Sequence, residues 1–151
     1  PLRDVIDAGI TVGLATDGPA SHNSSDLFEE MKFAGLIHKT NTGDVEFLKI
    51  GQLLELSTCE GAKAMNRPDT GRLEPGFKAD VIVVRLDTAH SQPVYDPLAA
   101  LVYSARADDV QHTIVNGRVL MENRQVIGVD EDEIRAKFHE KAHALKQRSL
   151  G

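Results

Sequence analysis

The sequence predicts an α/β fold that changes texture about half-way along, and three observations carry the prediction. Residues 10–15 read Ile-Thr-Val-Gly-Leu-Ala, a nearly continuous apolar stretch of the kind found in parallel strands buried on both faces. Helical spacing stands on either side of it: Leu2, Val5, Ile6 and Ala8 before, and Leu27, Met31, Ala34 and His38 after. Beyond Arg67-Pro68, short apolar runs alternate with turn signals, the pattern of a small antiparallel sheet.

In chain order, the first helix opens with the chain itself and ends at Gly9, so the sequence reads as starting inside an element of something longer. The strand, at about 10–16, stops at the turn sequence Thr16-Asp17-Gly18-Pro19 and gives way to a polar loop. Ser25 or Asp26 then starts a helix predicted over 25–39, with Glu29 in capping-box spacing from Asp26 and Gly43 beyond its end. Helix, buried strand, polar loop and helix make one repeat of an α/β architecture. Two shorter helices are predicted over 51–57 and 59–66, the second opened by a capping box at Ser57-Thr58-Cys59-Glu60. Gly61, Ala62 and Ala64 permit close packing there. Cys59 reads as a small core residue, because no cation in the local sequence marks it as a reactive thiol.

The small sheet is predicted from about 71 to 127. Glu74-Pro75-Gly76 signals a type II turn, with Pro second and Gly third. Residues 81–86 read as a buried strand, and Asp96-Pro97 starts a short helix through Tyr103. Residues 113–115 and 118–121 flank Asn116-Gly117, which suits a type I′ hairpin because both central positions need positive φ. Val126-Ile127 adds a third strand. A last helix runs from Asp130 to about Lys146, with Asp130 and Glu133 in cap positions and Glu133 one turn from Lys137. Ile134, Phe138, Ala142 and Leu145 form its apolar stripe.

Composition excludes several classes. The 151 residues carry 17 Lys and Arg against 23 Asp and Glu, a net charge of −6, and are 41% hydrophobic, so a mostly disordered chain is excluded. The acidic balance, without a basic stripe, argues against a nucleic-acid partner. Apolar runs such as Val81-Ile82-Val83-Val84 fall far short of the roughly 20 residues a membrane helix needs, so no membrane partner is expected. Pro1-Leu2-Arg3-Asp4 opens no leader peptide. The single Cys59 excludes an intramolecular disulfide, and a reducing cytoplasm is the expected compartment.

Two places could carry chemistry. Asp17 follows a buried parallel strand at its C-terminal end, where α/β folds place their sites. Its carboxylate can bind a metal or take a proton from water. Asp-Gly is equally ordinary turn chemistry. His22, in the next loop, is placed to face the same site. His38 lies on a helix stripe and is expected to be packed, whereas His90 and His112 flank strands and are expected at the surface. The second place, His139-Glu140-Lys141-Ala142-His143, fits the helical zinc-protease pattern. Lys141 sets a cation beside the proposed dication, and residues 144–151 offer no third ligand, so this reads as a solvated charged face. The sequence contains no His-x-His pair, no Gly-rich phosphate loop and no nucleophile elbow.

Several segments carry a resemblance. Gly13-Leu14-Ala15-Thr16-Asp17-Gly18, Ser21-His22-Asn23-Ser24 and Leu27-Phe28-Glu29-Glu30-Met31 resemble the last barrel strand and loop of the amidohydrolase superfamily. Gly71-Arg72-Leu73-Glu74-Pro75-Gly76-Phe77-Lys78-Ala79-Asp80-Val81-Ile82-Val83 resembles the segment where such chains return to a small β-sandwich. Tyr95-Asp96-Pro97, Leu101-Val102-Tyr103-Ser104-Ala105 and Thr113-Ile114-Val115-Asn116-Gly117 resemble the 5-methylthioadenosine/S-adenosylhomocysteine deaminase branch, close to the s-triazine chlorohydrolases. The resemblance covers nearly the whole chain.

It implies an α/β fold made of the last strand and helices of a (β/α)₈ metal-dependent hydrolase barrel plus part of a small β-sandwich. Residues 1–67 would be the barrel remnant, 68–129 part of the composite sandwich and 130–151 a C-terminal helix. The implied reaction is hydrolytic deamination of a small-molecule purine nucleoside such as S-adenosylhomocysteine or 5-methylthioadenosine. A triazine-type chlorohydrolase and a guanine- or cytosine-type deaminase are the alternatives within the family, and a noncatalytic β-rich packing module is the alternative outside it. The resemblance implies one divalent metal, zinc or iron, held by a His-x-His pair, a further His and an Asp that also deprotonates the attacking water. By motif match that Asp is Asp17, with Ser21, His22 and Asn23 on the loop nearest the substrate; His22 departs from the residue expected there. One strand cannot close a barrel of eight and one carboxylate cannot make a zinc site, so the chain by itself is expected to be inactive. The unpartnered faces of residues 10–15 and 27–38 predict an exposed apolar patch, and with it a homo-oligomer or association with the missing barrel portion.

Overall fold

Side-chain caps start the two longest helices of the computed structural model, which describes residues 2–149. Pro1, Leu150 and Gly151 lie outside the described residues, so the expected leaderless start is not addressed and the first helix is seen from Leu2 onward. Helix α1 (Leu2–Asp7) ends at Gly9, whose φ of 73° lets its amide donate to the Ile6 carbonyl at 2.9 Å. A single helical turn, α2 (Pro19–His22), precedes the long α3 (Leu27–Thr42). Asp26 caps α3, its Oδ1 accepting from the amides of Phe28 at 2.9 Å and Glu29 at 3.4 Å. Helix α3 runs one turn past the predicted end because Gly43, at φ 66°, is what stops it.

Helices α4 (Ile50–Ser57) and α5 (Cys59–Ala64) follow with only Thr58 between them. The predicted capping box at Ser57 is not formed. Ser57 belongs to the last turn of α4, and its hydroxyl donates back to the Leu53 carbonyl at 2.9 Å. The core gathers Met31 of α3, Phe47 and Leu48 of the intervening loop, Leu53 and Leu56 of α4, and Val102 of α6 (Pro97–Tyr103). Gly35 permits this contact: a Cβ there would lie 2.9 Å from Leu53 Cδ1 and 3.3 Å from the Tyr103 hydroxyl. His38 is packed as expected, edge-on to Phe47.

The predicted strand at 10–16 is the main correction. Residues 10–15 have no sheet partner, and Leu14 N to Leu56 O at 3.0 Å is the tie that holds the segment to α4. Ile10 is 58% exposed instead of buried on both faces. A parallel strand needs neighbouring strands to pair its backbone and helices to cover its faces, and among the described residues the strands all lie elsewhere. The segment is held against α5: a Cβ on Gly13 would stand 2.7 Å from Gly61 Cα, which realises the close packing predicted from Gly61.

The sheet has the order β1 (Val81–Val84), β2 (Val110–Val115), β3 (Arg118–Glu122) and β4 (Gln125–Val126), antiparallel throughout. Asn116 and Gly117 sit at φ 48° and 77°, as a type I′ turn requires. At the predicted type II turn, Gly76 has φ 93° and the Phe77 amide donates to Glu74 O at 3.1 Å. Strand β1 is shorter than the predicted 81–86, and its central residues Ile82 and Val83 are exposed. The last helix, α7 (Glu131–Ser149), is capped by Asp130, whose Oδ1 accepts from the Glu133 amide at 2.9 Å. Its apolar stripe covers nothing among the described residues: Phe138 is 68% exposed and no residue of α7 is buried. Amphipathic spacing marks a face that can be covered, and here no other element lies against it. Among the described residues, no helix is long and apolar enough to cross a membrane.

Candidate active site

The segment that Gly13 locks against α5 ends at Asp17, which adopts φ 55°, left-handed backbone that Asp tolerates better than most residues. This turn aims the Asp17 carboxylate outward and starts α2, with Gly18 as its N-cap and Pro19 in the first turn. Both carboxylate oxygens are engaged by the loop itself. Gly18 N donates to Oδ1 at 2.6 Å and Ser21 Oγ donates to Oδ2 at 2.8 Å. The Ser21 hydrogen bond first, and the Gly18 amide next, hold the Asp17 carboxyl below the usual carboxylate range, with a smaller contribution from the charge of His22 and a small opposing cost of desolvation. Asp17 is therefore an exposed, ionised oxygen donor at neutral pH.

The three loop residues named with it are distributed differently. Ser21 is brought to Asp17. His22 turns toward α3, its Nε2 lying 2.9 Å from Glu30 Oε1. Asn23 is exposed, takes φ 64° and closes α2 through its amide, which donates to Pro19 O at 2.9 Å. Two residues not named as site residues from sequence take part. Glu30 receives His22, and Asp26 uses its second oxygen, Oδ2, to accept from the Ala107 amide at 2.9 Å, which ties the start of α3 to the turn that precedes β2. Glu30 stands in the Leu27–Met31 segment that carries the resemblance, but nothing in its spacing marks it as a partner of His22.

A second polar cluster lies away from this loop. Asp109, 2% exposed, accepts from His90 Nε2 at 2.8 Å and from the Arg106 amide at 2.9 Å. Burial pushes its carboxyl up, but the bonds from His90 and Arg106 and the charges of His90 and Arg85 outweigh that and hold it below the usual range. His90 is thus more than the surface residue expected, for its ring closes over a buried carboxylate. His139 and His143 stand on the exposed α7, where Glu140 lies 3.6 Å from Lys141 Nζ.

Among the described residues, no three His, Cys, Asp or Glu side chains converge to hold a metal. Asp17 nevertheless fits one corner of such a site, since each oxygen keeps lone pairs beyond the single hydrogen bond it accepts. His22 does not supply a second corner, because its Nε2 faces Glu30 and its Nδ1 is buried. A groove of about 260 Å³ beside residues 9–12, lined by Ile6, Ile10, Leu48 and Leu56, does not reach Asp17.

The pattern of the Amidohydrolase family matches residues 1–120. The chain belongs to the amidohydrolase family. It is 44% identical over 148 residues to a 5-methylthioadenosine/S-adenosylhomocysteine deaminase of Pelotomaculum thermopropionicum, covering 98% of this chain and 34% of that protein. It is 45% identical over 148 residues to a 5'-deoxyadenosine deaminase of Methanosarcina barkeri, again covering 98% and 34%. Among solved structures, an adenosine deaminase from Xanthomonas campestris with bound zinc superposes with a TM-score of 0.91 at 27% identity, covering 95% of this chain and 33% of that one. A zinc-complexed atrazine chlorohydrolase from Arthrobacter aurescens gives a TM-score of 0.82 at 34% identity, with 91% and 31% covered. This amidohydrolase chain spans about a third of the length of the curated relatives it matches. Its mixed helix-and-strand fold with a small antiparallel sheet is that of part of a barrel-type hydrolase.

Proposed function

We propose that this chain forms the C-terminal third of a metal-dependent hydrolytic deaminase of adenine nucleosides, of the 5-methylthioadenosine, S-adenosylhomocysteine and 5'-deoxyadenosine class. The observation that carries the reading is Asp17, an exposed ionised carboxylate presented by a left-handed turn at the end of residues 10–15, with both oxygens steadied by its own loop. The names of the relatives support the substrate class. Residues 1–67 serve as the last part of the barrel, 68–129 as part of the small sheet domain and 130–151 as a C-terminal helix.

In this reading Asp17 is both a ligand of one divalent metal, zinc in preference to iron, and the general base. When bound, such a metal makes water acidic enough to attack an amine-bearing ring carbon near neutral pH. Asp17 would take one proton from the attacking water at a carboxylate oxygen and pass it to the departing amine, so that ammonia leaves; the water's second proton ends on the ring nitrogen beside that carbon, which becomes a carbonyl. Ser21 and the Gly18 amide keep the carboxylate from rotating while it does so. Ser21, His22 and Asn23 lie on the loop nearest the substrate. The remaining ligands come from outside this chain, and the exposed faces of residues 10–15 and α3 support their covering by the rest of the protein or by a second copy. The single free Cys59 supports a reducing cytoplasm.

The test is ammonia release from these nucleosides by a whole-length protein carrying this segment, with metal content measured on the same samples. Asp17→Asn keeps an oxygen ligand and loses the proton acceptor, so turnover is expected to fall by about 10²–10⁴-fold with metal partly retained. Asp17→Ala is expected to lose metal as well. A His139→Ala/His143→Ala double variant is expected to turn over normally. An active Asp17→Asn overturns the assignment.

A further inference from the structure

We infer that Glu30 is a positioning residue: through His22 it holds α2 in place and so seats Ser21 on the Asp17 carboxylate. The inference rests on the reading of Asp17 as ligand and base.

Helix α2 is one turn of four residues, none of them buried. A lone turn fixes several backbone dihedrals for very few hydrogen bonds and does not persist without an outside tie. Its internal bonds are few: Ser21 N and His22 N donate to Gly18 O at 3.0 and 3.1 Å, and Asn23 N donates to Pro19 O at 2.9 Å. Pro19, Ala20, Ser21 and Asn23 are all exposed, and His22 is the half-buried side chain of the turn. That side chain lies 2.9 Å from Glu30 Oε1. Glu30 stands in the first turn of a helix that is capped by Asp26 and buried at Met31 and Gly35, so it offers a fixed point.

The contact is a close polar pair and not an aligned hydrogen bond. His22 Nδ1 and Glu30 Oε1 are both buried without a hydrogen-bond partner. The tie between them is therefore the 2.9 Å approach of His22 Nε2 to the Glu30 carboxylate, half-removed from water on both sides. Removing either residue ends this contact and releases the turn. The Ser21 hydroxyl then leaves Oδ2, and the carboxylate, held by the Gly18 amide alone, gains freedom about a torsion that is intrinsically broad. What changes is the orientation of the proton acceptor, not the binding of substrate.

The experiment uses a whole-length protein carrying this segment, with Glu30→Ala, His22→Ala and the double variant. Each single variant is expected to lower kcat roughly ten- to a hundredfold, the scale of a displacement near 1 Å, with KM within about twofold of the parent. The double variant is expected to be no worse than either single one. Amide exchange in the peptide over residues 18–25 is expected to quicken by about tenfold in all three, with the body of α3 unchanged. Parental kcat in Glu30→Ala, losses that multiply in the double variant, or unchanged exchange over 18–25 would each overturn the proposal. Exchange is measured without substrate, so it decides the positioning role even for a protein that proves to deaminate none of these nucleosides.

Discussion

Asp109 is the point in the sheet region where one substitution should cost most. Its side chain is 2% exposed and carries two partners, the Arg106 amide at 2.9 Å and His90 Nε2 at 2.8 Å. Asp109→Ala leaves the amide unpaired at about 1–3 kcal/mol and removes a charge-assisted bond of about 1.5–3 kcal/mol from His90. The His90 side chain is 29% exposed, so water restores part of the second loss. The expected destabilisation is therefore about 3 kcal/mol, within the range for breaking a buried ion pair. Asp109→Asn keeps an acceptor for the amide and should cost about half as much. The two variants also differ from the parent in pH dependence. The Asp109 carboxyl is held below its unfolded value of 3.8 in the folded chain, so the unfolded state binds the proton more readily. The resulting stability is present above about pH 4 and is lost as pH falls through the lower, folded value. Urea unfolding followed by circular dichroism between about pH 3 and pH 7 measures both effects. The acid limb of Asp109→Asn should be flatter than that of the parent. Parallel acid limbs, or an Asp109→Ala variant within about 0.5 kcal/mol of the parent, would refute the reasoning.

Three further substitutions test how the candidate site is held. Gly13→Ala places a Cβ 2.7 Å from Gly61 Cα, a backbone atom that no rotamer change can move. A cost of about 1–3 kcal/mol is expected in the unfolding midpoint, and a neutral result would mean residues 10–15 do not lie against α5. Asp26→Ala removes both the cap of α3 and the acceptor of the Ala107 amide, and should cost about 1–2 kcal/mol, whereas Asp26→Asn should keep the cap and cost less. Phe33, Leu36 and Ile37 form an exposed apolar face on α3, so the 151-residue chain should self-associate with concentration in sedimentation. Replacing all three by Lys should abolish that association, and a parent that stays monomeric at high concentration would contradict it.

Features set by neighbouring residues were legible before the structure. Asn116-Gly117 takes the two positive φ values of a type I′ turn, and Asp26 caps α3, because both depend on a few consecutive residues. The contacts that escaped are those that tertiary packing creates. His90 meets Asp109 across 19 positions and Asp26 meets Ala107 across 81. No local pattern distinguishes these side chains from ordinary surface residues. His22 to Glu30 spans only eight positions, yet a loop-to-helix contact follows neither helical nor strand spacing.

The strand expectation failed for a reason that bears on function. The apolar character of residues 10–15 describes a segment suited to burial on both faces, but burial needs partners and Ile10 has few. Phe33, Leu36 and Ile37 on α3 are exposed too. Asp17 ends the first of these segments, and in the proposed reading it supplies one oxygen corner of a metal site. An apolar segment without sheet partners, an apolar helix face without cover and, in the proposed reading, a carboxylate without fellow ligands have a common remedy. In that reading, strands laid beside residues 10–15 would pair their backbone and, at the ends level with Asp17, bring further ligands to its carboxylate, while helices packed over them would hide the apolar surface. In that reading the surface that needs covering and the site that needs completing are one requirement, and the chain spans about a third of the length of the relatives it matches.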